Sequence, residues 1–103
     1  MKSAARVFRA LAHPVRRQIL EELKDGPLPA GEIAARFDIS GPSISRHLSL
    51  LETADLVDVR RDANRLLYQL QPESLAQALN GFLSAVCPTQ IAHRKRRPQR
   101  SRA

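Results

Sequence analysis

Apolar residues recur at helical spacing along most of the chain and switch to strict alternation only once, between residues 57 and 70. Ala4, Val7, Phe8 and Leu11 stand at i, i+3, i+4 and i+7, one face of a short helix with Ser3 as its N-cap. Pro14 opens a second helix, where its missing N–H costs nothing, lined by Val15, Ile19, Leu20 and Leu23. Gly26 and Pro27 stop it, and "GPLP" reads as a turn. A third helix from Ala30 to Phe37 buries Ile33, Ala34 and Phe37. Asp38 and Ile39 turn the chain, and Ser40 caps a fourth helix with Pro42 in its first turn and its end near Thr53. Ile44, Leu48 and Leu51 then form its inward stripe. Val57 and Val59 next alternate with Asp58 and Arg60, and Leu66, Tyr68 and Leu70 with Arg65, Leu67 and Gln69. This is a β-hairpin turning through "RDAN", where Asn64 tolerates a left-handed backbone. Pro72 opens a fifth helix, with Leu75, Leu79, Phe82 and Val86 at heptad-like spacing and Pro88 as its stop.

Charge changes this picture only at the end. The net charge of the 103 residues is +7. Arg94, Lys95, Arg96, Arg97, Arg100 and Arg102 supply six of those charges without an acid among residues 89–103. The remainder is nearly neutral. Residues 1–88 therefore read as one folded domain and 89–103 as a basic disordered tail. No apolar run is long enough for a membrane helix, and the N-terminus lacks the form of a signal peptide, so a cytoplasmic protein is expected. A core of this size gains from a partner subunit. The single cysteine, Cys87, forms no disulfide within the chain and no multi-thiolate metal site.

Two helices joined by a short turn, the second rich in small polar groups, make a helix-turn-helix, and a hairpin directly after it is a wing. With Ile44, Leu48 and Leu51 inward, the fourth helix leaves Ser43, Ser45, Arg46, His47 and Ser49 wholly or partly outside. Small hydroxyls permit close approach to bases and phosphates. An arginine such as Arg46 can pair with guanine O6 and N7, which is worth about 1–3 kcal/mol of discrimination. The helix start, Ser40 to Ser43 including Pro42, can turn free N–H groups toward a phosphate. His47 either reaches a phosphate or lies half-buried beside the core. Arg61 and Arg65 flank the wing turn and are candidates for minor-groove contact, beside Asp58 and Asp62, which weaken a purely electrostatic grip. Arg16 and Arg17 open the second helix, where cations are disfavoured, so at least one needs a partner, a DNA phosphate or an internal carboxylate. His13 and His93 look isolated.

Three blocks, "VFRALAHPVRRQILEEL" (7–23), "AGEIAARFDISGPSISRHLSLLETADLV" (30–57) and "VRRDANRLLYQL" (59–70), resemble the ArsR/SmtB family of winged-helix transcriptional repressors. Within that family the chain is most similar to metal-independent, SdpR-like autorepressors. The resemblance implies a mainly α fold with a β-hairpin, a winged helix-turn-helix of order ααααββα. It implies a homodimer through the first and last helices, with Phe8, Leu75, Leu79, Phe82 and Val86 at the interface. It further implies double-stranded operator DNA as the partner, read as a near-palindrome with half-sites about 34–36 Å apart or a multiple of that.

Many relatives bind metal through a pair of cysteines at the start of the third helix. Here that stretch is "PLPAGEI", with Pro29 and Gly31 where thiolates are needed. A second family site uses Asp and His on the last helix, and "PESLAQALNGFLSAV" has neither. No metal and no cofactor are therefore expected. An enzyme is not expected either, since no nucleophile–base pair, paired carboxylates or phosphate-cradling glycine loop is present. Two other readings compete with a sequence-specific repressor: a nonspecific nucleic-acid binder driven by the tail, and a protein-interaction module using the helical dimer face. The nearly neutral body and the scarcity of aromatic stacking residues count against the first of these.

Overall fold

A computed structural model of the chain describes residues 2–87, with side chains from residue 4. The basic tail, His93 and the stop at Pro88 lie outside the described residues. The elements run α1 (Lys2–Leu11), α2 (Pro14–Glu22), β1 (Leu28–Pro29), α3 (Ala30–Ala35), α4 (Gly41–Thr53), β2 (Val57–Asp62), β3 (Arg65–Leu70) and α5 (Pro72–Val86). The three strands form one antiparallel sheet in the order β1-β3-β2. This is the winged helix-turn-helix that the residue pattern predicts, with one strand more.

That strand is β1. Instead of a simple turn, Leu28 and Pro29 pair with Tyr68 and Leu67 of β3. Two residues are too few to show a period. Pro29 is tolerated because β1 is an edge strand, where a missing N–H leaves no neighbour unpaired. The pairing ties the chain just before α3 to the base of the wing.

The helices pack by the faces their spacing sets. Ile19, Ile33, Ile44, Leu48 and Leu51 are all at most 2% exposed and meet in one core with Val7 of α1. Ser3 is not an N-cap, because α1 already begins at Lys2. The cap of α2 is His13, whose Nδ1 accepts the Val15 N–H at 3.1 Å. At the far end of α2, Glu22 accepts from Arg36 at 2.7 Å, and that bond holds the Glu22 carboxyl below its usual range. It links the end of α2 to the end of α3.

α4 stops through a paired set of C-terminal bonds. Asp55 N–H donates to Glu52 O at 2.9 Å and Leu56 N–H to Leu51 O at 3.0 Å. These are the two bonds of a Schellman motif, with fully buried Leu56 packed back over Leu51. Asp55 takes the left-handed position at φ 63°. The wing turn needs a second one, and it falls on Ala63 (φ 59°) rather than on Asn64. In a two-residue hairpin the first central position can carry the positive φ alone, and here the first is alanine.

Candidate nucleic-acid interface

The N-terminus of α4 is set by Ser40, whose Oγ accepts the Ser43 N–H at 3.2 Å. The Ser40 hydroxyl then donates to Ser43 Oγ at 3.0 Å. Pro42 has no N–H, and Ile44 N–H donates to Ser40 O. The Ser43 and Ile44 amides are thus consumed, and among the described residues the Gly41 N–H and the Ser43 hydroxyl hydrogen are the donors left on offer there. Ser40, Pro42 and Gly41 are exposed and Ser43 is half-buried.

Beyond the cap, the helical turn sorts the polar residues. At about 100° per residue, Arg46 points almost opposite the buried Ile44–Leu48–Leu51 stripe. Ser49 and then Ser45 lie to one side of it, and all three are exposed. Arg46 makes no ion pair among the described residues. α4 therefore offers a short, low-relief face of one free cation beside two hydroxyls.

His47 sits at the margin of that face, half-buried, and is already engaged. Its Nδ1 is 3.0 Å from Nη1 of Arg16, and its ring lies 4.5 Å from that of His13, centroid to centroid. Burial pushes the His47 pKa below its ordinary 6.5, and the basic neighbours His13, Arg16 and Arg46 add to this. His13, which looked isolated in the sequence, belongs to this cluster.

Among the described residues Arg16 and Arg17 pair with no carboxylate, and backbone carbonyls take their donors instead. Arg16 donates to the carbonyls of Ala10 (2.7 Å) and Arg9 (3.1 Å), and Arg17 to that of Leu11 (2.7 Å). The link between α1 and α2 is so short that the start of α2 is also the end of α1. Cations disfavoured at the one are favoured at the other, where carbonyls lack partners.

The wing is a two-faced ribbon. Residues paired across β2 and β3 share a face, so Arg61 stands with Leu66, and Arg60 and Arg65 stand together on the opposite one. The two wing arginines singled out from the sequence, Arg61 and Arg65, therefore point apart. Arg65 also lies 3.4 Å from Asp62, an exposed pair that contributes little but occupies the guanidinium. Arg60, not singled out, is exposed and unpaired among the described residues. Strand alternation carries that signal.

The expected dimer face divides in two. Leu75 packs on the chain's own core and Leu79 is half-buried. Phe8, Phe82, Leu83 and Val86 are exposed, Leu83 being an addition to the expected set. Phe8 and Phe82 meet edge to face at 5.3 Å beside an open groove of about 700 Å³ between α1 and α5. Among the described residues no three His, Cys, Asp or Glu side chains gather as a metal ion requires, and no helix is long and apolar enough to cross a membrane.

Comparison with known proteins agrees with this architecture. A family model described as a helix-turn-helix domain matches residues 11–60. The transcriptional repressor SdpR of Bacillus subtilis is 40% identical over 80 residues, covering 78% of this chain and 89% of SdpR. Among solved structures, the ArsR family transcriptional regulator RHA00566 superposes with a TM-score of 0.75 at 26% identity, over 92% of this chain and 94% of that one. The homodimeric winged helix-turn-helix domain of Mb0332 from Mycobacterium bovis, described as a possible ArsR-family regulator, does so with a TM-score of 0.67 at 28% identity, over 96% and 89%. With its helix-turn-helix, its wing and these relatives, the chain belongs to the ArsR family of winged helix-turn-helix transcriptional regulators.

Proposed function

We propose that the chain is a transcriptional repressor that binds a near-palindromic operator as a homodimer and does so without a metal. The observation that carries this reading is the face of α4, with Arg46 exposed, unpaired among the described residues and beside Ser49 and Ser45, almost opposite the buried stripe. Set into a major groove, that face brings a guanidinium to guanine edges and lets two small hydroxyls approach without a clash. Ser43 offers its hydroxyl at the helix start. Arg61 and Arg60 reach opposite walls of the adjoining minor groove, and Arg65 adds less because of Asp62.

The repressor role is supported by the name of the similar Bacillus protein, and the homodimer by that of the Mycobacterium bovis neighbour. The exposed Phe8, Phe82, Leu83 and Val86 supply an apolar face suited to a two-fold partner, with Leu75 and Leu79 supporting it from beneath. Residues 89–103, as a basic tail, would add phosphate affinity without sequence information. The test is retention of the chain's own upstream promoter DNA against excess unrelated duplex. Wild-type protein and a tail-deleted form keep the specific complex, while the Ser45→Ala/Arg46→Ala variant loses it. Wild type and helix variant competed away alike by any duplex, with tail deletion the only change that alters binding, would instead favour a nonspecific binder.

A further inference from the structure

The most unusual side chain in the fold is Arg16. It is 8% exposed, and among the described residues no carboxylate pairs with it. Its three bonds run to two elements: Nε and Nη2 hold the Ala10 and Arg9 carbonyls at the end of α1, and Nη1 holds Nδ1 of His47 on α4. A buried guanidinium is costly unless its donors are used, so this arrangement needs a reason to exist at this junction.

Arginine has donors and no acceptor. A hydrogen bond from Nη1 to Nδ1 therefore requires Nδ1 to carry a lone pair, which assigns the hydrogen of the neutral ring to Nε2. The charged or titratable groups that face His47 are Arg16 and His13 of α2 and Arg46 of its own helix. From α1 the Ala10 and Arg9 carbonyls join the cluster through Arg16. Nothing there rewards a second proton on the ring. Among the described residues no hydrogen bond uses Nε2. On the helical wheel His47 lies at the edge of the polar face, about 65° from the centre of the buried stripe, whereas Arg46 lies at the middle of that face. A residue at the edge meets the wall of a groove, where phosphates are, and not its floor.

We infer that Arg16 is a positioning residue for DNA reading: it holds His47 in the neutral Nε2–H tautomer, and His47 donates that hydrogen to a phosphate oxygen at the wall of the groove that α4 enters. The inference rests on the reading of α4 as the DNA-facing helix. It adds a fixed neutral donor to that face, in which Arg16 acts without touching DNA. It also ties the end of α1, the helix beside the dimer groove, to the register of α4.

The first test needs no DNA. Long-range proton–nitrogen spectra of the ¹⁵N-labelled protein at pH 7.5, with His47 assigned by loss of its signals in His47→Gln, give the Nε2–H pattern in wild type and a mixture of tautomers in Arg16→Met, which keeps the apolar stem and removes the donor. The second is affinity for the promoter duplex. His47→Gln can supply an amide N–H at the reach of Nε2 and stays within about threefold of wild type. His47→Asn reaches only as far as Nδ1 and weakens binding about tenfold, as for the loss of one bond to a charged acceptor. Both variants are checked for unchanged helicity. An Nδ1–H or doubly protonated ring in wild type, or His47→Asn binding as wild type does, overturns the inference. If Ser45→Ala/Arg46→Ala loses the promoter while His47→Asn keeps it, the reading of α4 survives and the role of His47 falls. If neither changes binding, both fall.

Discussion

Truncating Phe82 separates an exposed ring that serves a partner from one that merely caps its own helix. The residue is 53% exposed and touches Phe8 by one edge. A buried aromatic side chain accounts for roughly 200 Å², so pairing two copies through α5 covers about 100 Å² more of each ring. At about 25 cal/mol per Å² this is about 2.5 kcal/mol per copy, and two-fold symmetry counts it twice. Alanine keeps Cβ and part of the cover, leaving a loss of about 3 kcal/mol per dimer, or about a hundredfold in the dimer Kd. Sedimentation of Phe82→Ala over a dilution series from micromolar to nanomolar reads that shift directly, with circular dichroism confirming that each chain stays folded. The Phe8 edge contact is worth only about 0.5–1.5 kcal/mol within the chain, so the fold survives. A dimer Kd within about threefold of wild type would refute the placement of the interface.

Acidification destabilises the fold through His47. Burial holds its folded pKa below 6.5, so the unfolded chain takes up the proton first and stability falls as pH drops below 6.5; urea midpoints at pH 7.5, 6.5 and 5.5 decline, and less so in His47→Asn. Ser40→Ala removes the acceptor that holds the Ser43 N–H and lowers stability by about 1 kcal/mol, read as a lower urea midpoint at unchanged slope. Ala63→Gly relieves the left-handed alanine at the wing tip and stabilises the fold by about 0.5–1 kcal/mol after the glycine's own entropy, a rise of a few degrees in Tm.

What could be read from the residues is what repeats. The inward stripe of α4 shows at i, i+4 and i+7, its Ser40 cap is a local rule, and the alternation from Val57 to Leu70 is long enough to declare a hairpin. Features that join distant positions leave no period. The strand β1 is two residues long and exists only because β3 lies beside it. The bond from Arg16 to His47 spans 31 positions. The only trace it leaves is a cation at a helix start that disfavours one, and the sequence does not say that the answer is the end of α1. The wing turn shows a different limit. Propensity favours Asn64 for the left-handed site, but the register of β2 and β3 fixes which residue comes first in the turn, and that is Ala63. In the same way, spacing alone groups Arg61 with Arg65, whereas pairing sets them on opposite faces of the ribbon.

The central claim is that the face of α4 around Arg46 reads DNA sequence. Its most direct measurement is the affinity of purified protein for its own upstream promoter duplex, across a salt series and against excess unrelated DNA, with Ser45→Ala/Arg46→Ala and the tail-deleted form alongside. The account predicts that wild type survives the competitor, that the helix variant loses only the competitor-resistant complex, and that tail deletion flattens the salt dependence and spares discrimination. Wild type and helix variant competed away alike, with tail deletion the only change that matters, would contradict it.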